Sequence, residues 1–323
     1  MCVVASVRCA ADVHWKSRLA DVAELVDASG LGPGTREGVE VRVLSSALSP
    51  VSWRSMPTIQ PAISRYSKLE LLEALPEGDP GEKAPILFVH GAGHAAWCWH
   101  NWLEQAADAG HPAYALSLTG HGESPGSLYS AHLDTYVDDA IRTAASLPSQ
   151  PVLVGHSLGG LVVQRVIARY PARAAVLVAP IPARPGVGTL VSIARQNPGD
   201  AAKIMLGGSL PMREDYLFNR LDPVEATRYS GLCGNESPLA QFQVLLHRPA
   251  GPPRGGAPVL VLGAPDDALV PIADVRDTAR RYGAESIEFP GIGHDMMLDG
   301  GWQEPAEAML GWIDAVVESP VGA

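Results

Sequence analysis

The residues able to do chemistry lie in three short segments. The first is Gly155-His156-Ser157-Leu158-Gly159, a serine with glycine two positions before and two positions after it. A serine hydroxyl is a weak nucleophile until a base takes its proton, so a reactive Ser157 needs a histidine brought from elsewhere in the chain. Of the ten histidines, position selects His294, in the glycine-rich loop Gly291-Ile292-Gly293-His294-Asp295 that follows the last strand-like run. A third group must orient that imidazole and stabilise its cation. Two adjacent carboxylates, Asp266 and Asp267, follow another strand-like run at 259–263. The chemistry these types imply is acyl transfer through a serine, with no metal and no cofactor.

Such groups work only on a frame that brings them together. Residues 86–90 (ILFVH) are a short apolar run bounded by Pro85 and Gly91, which reads as a buried strand. Residues 152–154 are another strand, ending at Gly155, and a helical pattern opens at Leu158. Ser157 therefore sits in a strand–turn–helix setting, the context its motif requires. The turn predicts a strained backbone at Ser157, with room for only small residues at 155 and 159, and Gly160 adds space for close helix packing. The helix N-terminus points its free N–H groups at the serine and favours negative charge there. Further helices are predicted over 97–109, 133–147, 158–170, 272–282 and 301–317. Strands are predicted over 113–118, 174–179, 258–262 and 286–289. This alternation predicts an α/β fold, a doubly wound, mostly parallel sheet covered on both faces. Residues 183–255 break the rhythm with prolines, glycines and short helical patterns at 224–229 and 239–247. They are too long for a structureless loop and read as an inserted helical cap over the C-terminal edge of the sheet. The expected organisation is an extension at 1–55, a core at 56–182 and 256–323, and the cap at 183–255.

The order Ser157, aspartate, His294 and nearly all of residues 60–317 resemble the α/β-hydrolase superfamily. HGAGHAAWCW at 90–99 is similar to the HGxxHGAWxW segment of plant methyl-ester esterases and the related hydroxynitrile lyases. The resemblance implies that the backbone N–H groups of Ala92 and Leu158 hold the oxyanion. It places the acid four residues before the proline of Val270-Pro271, at Asp267; counting three on from Gly263 gives Asp266, and Asp267 is preferred. A serine at the elbow departs from haloalkane dehalogenases and epoxide hydrolases, which carry aspartate there. Gly91 and Asp295 stand where the lyases carry threonine and lysine. The resemblance thus implies a carboxylic ester hydrolase acting on a small or lipid-like molecule through an acyl-enzyme on Ser157. Thioesterase, C–C hydrolase and perhydrolase chemistry, or a non-catalytic binding protein of the same fold, remain as alternatives.

Other residues have plainer readings. His90, His94 and His100 invite a metal, but the resemblance gives His90 a structural role. His121 shapes the loop after its strand. Trp97, Trp99 and Trp102 are read as core, and so are Met296 and Met297. Arg184, Arg195, Lys203 and Arg213 are read as solvated surface, with an anionic acyl group as their functional alternative.

Composition narrows the classes. The 323 residues are 46% hydrophobic and 18% charged, ample for a large core. A formal charge of −11 with no long basic run argues against nucleic acid and anionic membrane surfaces. No apolar stretch is long enough for a transmembrane helix, and the expected partner is a small-molecule substrate. Cys2, Cys9, Cys98 and Cys233 form neither a C-x-x-C pair nor a disulfide framework, which fits a reducing cytoplasm. Residues 16–48 hold DVAELVDASG and EVRVLSSA, which resemble a transfer-RNA gene translated as protein. That reading implies a coding start set too early, with Met56 as initiator. The alternative is a short amphipathic appendage, with a helix at 19–28 and a strand at 39–44. A peptide from 16–42 in native protein decides for the appendage.

Overall fold

The computed structural model describes residues 59–63, 68–78, 81 and 83–317. The helix read at 19–28, the strand at 39–44 and the transfer-RNA-like stretch lie outside them. The described strands are β1 (Gln60–Ile63), β2 (Glu70–Ala74), β3 (Ile86–Val89), β4 (Ala113–Leu116), β5 (Val152–His156), β6 (Ala174–Val178), β7 (Val259–Gly263) and β8 (Glu285–Glu288). They form one eight-stranded sheet in the order β1-β2-β4-β3-β5-β6-β7-β8. β2 pairs antiparallel with both neighbours, and every other pairing is parallel.

The helices are α1 (His100–Asp108), α2 (Leu133–Ser146), α3 (Leu158–Ile167), α4 (Val187–Gln196), α5 (Pro198–Met205), α6 (Glu214–Leu217), α7 (Pro223–Leu232), α8 (Pro238–Leu246), α9 (Ile272–Tyr282) and α10 (Gln303–Val317). Every residue of β3 to β7 is buried. Strands covered on both faces have this burial and this unbroken apolar composition. α3 is apolar nearly all round and buried along its length, so it packs tightly against β3, β5 and β6. α1 buries Trp102, Leu103, Ala106 and Ala107 over β2 and β4 and meets α10, which lies over β6 and β7. Trp99, Trp102, Met296 and Met297 are fully buried core, as read from sequence.

Two features were not anticipated. β1 and β2 carry no clear strand pattern; β2 reads ELLEA, with only Leu71 and Ala74 buried. Its pairing to β1 and β4 overrides that weak local signal. The stretch between β6 and β7 holds five helices, α4 to α8; α7 and α8 fall on the helical patterns at 224–229 and 239–247, and α4, α5 and α6 are the additional ones. Asn197, Asp222 and Ser237 accept backbone N–H bonds at the starts of α5, α7 and α8, each followed by proline in the first turn. This pairing of a capping side chain with proline is a strong helix-start signal.

The chain runs from β3 to β4 on one side, then returns to place β5 on the other side of β3. Ligands of open α/β sheets bind at such a reversal, beyond the C-terminal ends of the strands. Val89 and Gly155 are paired there, so the segments after β3 and β5 emerge side by side.

Candidate active site

Ser157 occupies the turn between β5 and α3 with φ 50° and ψ −114°, a left-handed φ that side chains rarely adopt. Its N–H donates to the Val178 carbonyl at 3.0 Å, and its carbonyl accepts from Ile181 N–H at 3.0 Å. These bonds to the end of β6 hold the strained turn closed. A side chain at 155 would strike the Gly159 carbonyl, and one at 159 would strike the carbonyls of Val89 and His90. The two glycines of the motif are thus required by backbone crowding, as the spacing predicts.

His294 follows β8 and is buried. Its Nδ1 lies 2.7 Å from Asp267 Oδ2. Asp267 follows β7, and its other oxygen accepts N–H bonds from Leu269 at 2.7 Å and Val270 at 2.9 Å. Asp266 is exposed and caps the Gly291 N–H at 2.7 Å. The geometry therefore separates the two neighbours: Asp267 faces the imidazole, and Asp266 ties down the loop that carries it. Burial opposes protonation of His294, but the charge and hydrogen bond of Asp267 outweigh it and raise the imidazole above its ordinary value. His156, beside Ser157, holds its ring 4.7 Å from that of His294, and its Nε2 lies 3.1 Å from the His294 carbonyl. Burial, then His294, push His156 down to about 3, so it is neutral.

After β3 the chain makes a tight turn over residues 91–94, with His94 N–H bonded to the Gly91 carbonyl at 3.3 Å and Gly93 at φ 68°. Glycine at that third position is the mark of a type II turn. Ala92, the second residue of the turn, and Leu158, the first of α3, both line the same cavity as Ser157. His94 anchors the turn from beneath. Its Nδ1 lies 2.9 Å from the Ala92 carbonyl and its Nε2 2.9 Å from Asp295 Oδ2. Both partners are acceptors, so both nitrogens carry protons. Burial works against this charge, but Asp295 holds His94 well above the ordinary value, and His94 in turn holds Asp295 below its own. This buried ion pair was not foreseen. The only sequence signal was a carboxylate directly after His294, with no way to see its partner.

His90, His94 and His100 do not converge. His90 contacts the Gly91 carbonyl and accepts from Leu118 N–H at 3.0 Å. His100 lies 3.2 Å from the Trp97 carbonyl. Among the described residues, ligand-type atoms of His156, His294 and Asp295 do lie within 4.8 Å of one another. With Nδ1 of His294 committed to Asp267, the nitrogen left to this set is Nε2, the atom that proton transfer from a serine uses.

The cavity in front of Ser157 has a volume of about 80 Å³. Its walls are apolar and come mostly from the insertion: Leu190, Ile193, Ile204, Leu210 and Val244, with Leu269 from the core. Gln241 also lines it but donates to the Gly208 carbonyl and accepts from Leu210 N–H. No charged side chain lines it; Arg184 pairs with Asp274 and Asp277, and Arg213 with Asp215.

These features can be set beside known proteins. "Probable esterase PIR7A" of Oryza sativa is 40% identical over 111 residues, 33% of this chain and 42% of that protein, so the chain spans about two fifths of the relative it matches. "Monoacylglycerol lipase" of Mycolicibacterium smegmatis is 26% identical over 74% of this chain and 90% of its own length. A solved thermophilic esterase, 21% identical, superposes with a TM-score of 0.58 over 80% of this chain and 99% of its own, which speaks to fold alone. The alpha/beta hydrolase family profile matches residues 86–309, running from β3 through the elbow, the insertion and the histidine loop into α10. With that profile laid over the same sheet, elbow and loop, the chain belongs to the alpha/beta hydrolase family.

Proposed function

We propose that this chain is a serine hydrolase that cleaves carboxylic esters of small, uncharged, apolar acyl groups. One observation carries the reading. Ser157 opens onto an apolar cavity from a strained elbow, while the loop after β8 holds His294 on the buried carboxyl of Asp267. The names of the relatives, an esterase and a monoacylglycerol lipase, point the same way.

In this mechanism Nε2 of His294 takes the Ser157 proton as Oγ attacks the ester carbonyl. Asp267 holds Nδ1–H and stabilises the imidazolium. The backbone N–H groups of Ala92 and Leu158 bind the developing oxyanion, at the end of β3 and at the N-terminus of α3. Preorganised donors at the site of developing charge are the largest single contribution in such reactions. His294 then protonates the leaving alcohol. Water activated by the same imidazole releases the acid from Ser157. Residues 183–255 act as a cap and choose the acyl group by shape.

A panel of esters, thioesters, amides and lactones against wild type and Ser157→Ala tests this, with a fluorophosphonate probe reporting the nucleophile. Turnover of short acyl esters and labelling, both abolished in Ser157→Ala, support it. Turnover that survives in the variant defeats it. A wild type that neither labels nor turns over any ester is a binding protein instead.

A further inference from the structure

The insertion does more than wall the cavity, since one of its side chains grips the turn that supplies Ala92. Glu236, in the link between α7 and α8, is 1% exposed. Its Oε2 accepts the Gly93 N–H at 3.2 Å. Its Oε1 accepts from Tyr136 Oη at 2.7 Å and from Ser237 N–H at 2.6 Å. Its own N–H donates to Ser209 Oγ at 2.7 Å, within the insertion. Two residues earlier, the Gly234 N–H donates to the Gly93 carbonyl at 2.7 Å. The His121 ring lies 3.2 Å from Oε2 without the alignment of a hydrogen bond. So both polar groups of Gly93 bind the insertion and neither binds the core.

We propose that Glu236 is a positioning residue that locks the oxyanion turn and makes Ala92 N–H a competent donor only when the insertion is docked. The central peptide of the turn joins Ala92 to Gly93. Its carbonyl is held by His94 and its N–H by Glu236. Glycine at φ 68° is the residue least able to hold that peptide by itself, because it tolerates either sign of φ. Turns of types I and II differ by a flip of this peptide. A flip alters the torsion on the carbonyl side of Ala92 and moves the neighbouring N–H away from the oxyanion position. A buried carboxylate bonded to neutral donors on three sides is a stiff anchor against that flip, since charge-assisted bonds are about twice as strong as neutral ones. Burying such a charge is unfavourable unless it is fully bonded, and here the bonds converge on the turn.

The inference rests on the hydrolase reading above. Its test compares wild type with Glu236→Ala, Glu236→Gln and Tyr136→Phe, the last removing one of the bonds that fix the carboxylate. Rates on p-nitrophenyl butyrate are divided by the sites titrated to completion with fluorophosphonate, so loss of folded protein cancels. Removing an oxyanion donor outright lowers kcat by about 10²–10³. Loosening one by Glu236→Ala is expected to lower kcat per titrated site by about 10²-fold, with KM within about threefold, because the defect is confined to the transition state. A trifluoromethyl ketone, whose adduct carries the oxyanion, weakens by a matching factor. Glu236→Gln keeps the volume and one accepting oxygen, and falls between. Tyr136→Phe gives a smaller loss in the same direction. Should Glu236→Ala not fold, the glutamine and phenylalanine variants carry the test. Wild-type kcat per titrated site in the variants, or a lost active fraction alone, overturns the proposal and leaves the hydrolase reading standing. A wild type without labelling or turnover removes both.

Discussion

Asp267→Asn is the sharpest perturbation of the site, because the structure dictates how the new amide will sit. Oδ1 of Asp267 accepts two backbone N–H groups, from Leu269 at 2.7 Å and Val270 at 2.9 Å. Only the amide oxygen of asparagine can replace it there, since the NH₂ group would face two donors. The NH₂ group is therefore turned toward His294 Nδ1, the atom now 2.7 Å from Oδ2. Nδ1 must become the acceptor, which puts the imidazole proton on Nε2. That nitrogen can then no longer take a proton from Ser157. The shape of the site is preserved and the tautomer is wrong, a change that lowers kcat by about 10⁴ in serine hydrolases of this design. At about 1.4 kcal/mol per factor of ten this is about 5 kcal/mol of barrier. The assay is kcat/KM on p-nitrophenyl butyrate at pH 8, with thermal melting to show that the variant is folded. Asp266→Asn is the control: its carboxylate is exposed and serves one backbone N–H at the loop, so a loss under about tenfold is expected. A folded Asp267→Asn within about tenfold of wild type refutes the reasoning. An Asp266→Asn variant that loses more than Asp267→Asn transfers the acid role to Asp266.

The remaining expectations follow from the same geometry. Because Asp267 raises His294 above 6.5 and the base must be neutral, kcat/KM falls as pH drops through a value above 6.5; a pH–rate profile whose acid limb lies at or below that value contradicts the coupling. Ser157→Gly and Ser157→Ala both abolish turnover. The glycine variant relaxes a φ of 50°, a conformation costing about 1–3 kcal/mol, against about 0.5–1 kcal/mol of glycine entropy. Urea unfolding should therefore place it above the alanine variant, and equal midpoints count against strain. Val244→Trp narrows the apolar cavity and is expected to lower kcat/KM for hexanoyl esters about tenfold while sparing acetyl esters; a uniform loss on both means the acyl group lies elsewhere. Gly155→Ala drives a methyl group into the Gly159 carbonyl and should destabilise by about 1–3 kcal/mol or more, read by melting temperature.

Much of the frame was legible in the residues themselves. Strands such as ILFV at β3 and AAVLV at β6 are unbroken apolar runs, and burial on both faces leaves that mark whatever lies next to them. The elbow was legible because a serine flanked by glycines sits between an apolar strand and a helix start; Gly155 answers to crowding by the neighbouring Gly159 carbonyl, whereas Gly159 answers to the distant carbonyls of Val89 and His90. β1 and β2 were not: QPAI is four residues with a proline among them, and ELLEA is a half-buried strand with two glutamates, so neither carries much pattern of its own. In the insertion α7 and α8 were legible as the helical patterns at 224–229 and 239–247, whereas α4, α5 and α6 were not, although Asn197 before Pro198 marks the start of α5 just as Asp222 and Ser237 before prolines mark those of α7 and α8.

What the sequence determined alone is therefore the local and the ordered: a serine on a strand–turn–helix, an aspartate pair and a histidine each following a strand, and an alternation that makes a parallel sheet. Tertiary structure decided which groups meet. It turned Asp267 rather than Asp266 toward His294, because two amides of one turn seize Oδ1 and aim Oδ2. It also joined His94 to Asp295 and Glu236 to Gly93, pairs 201 and 143 residues apart. Such partnerships depend on where the sheet order and the insertion place distant loops, and a chain read residue by residue holds no distance between them.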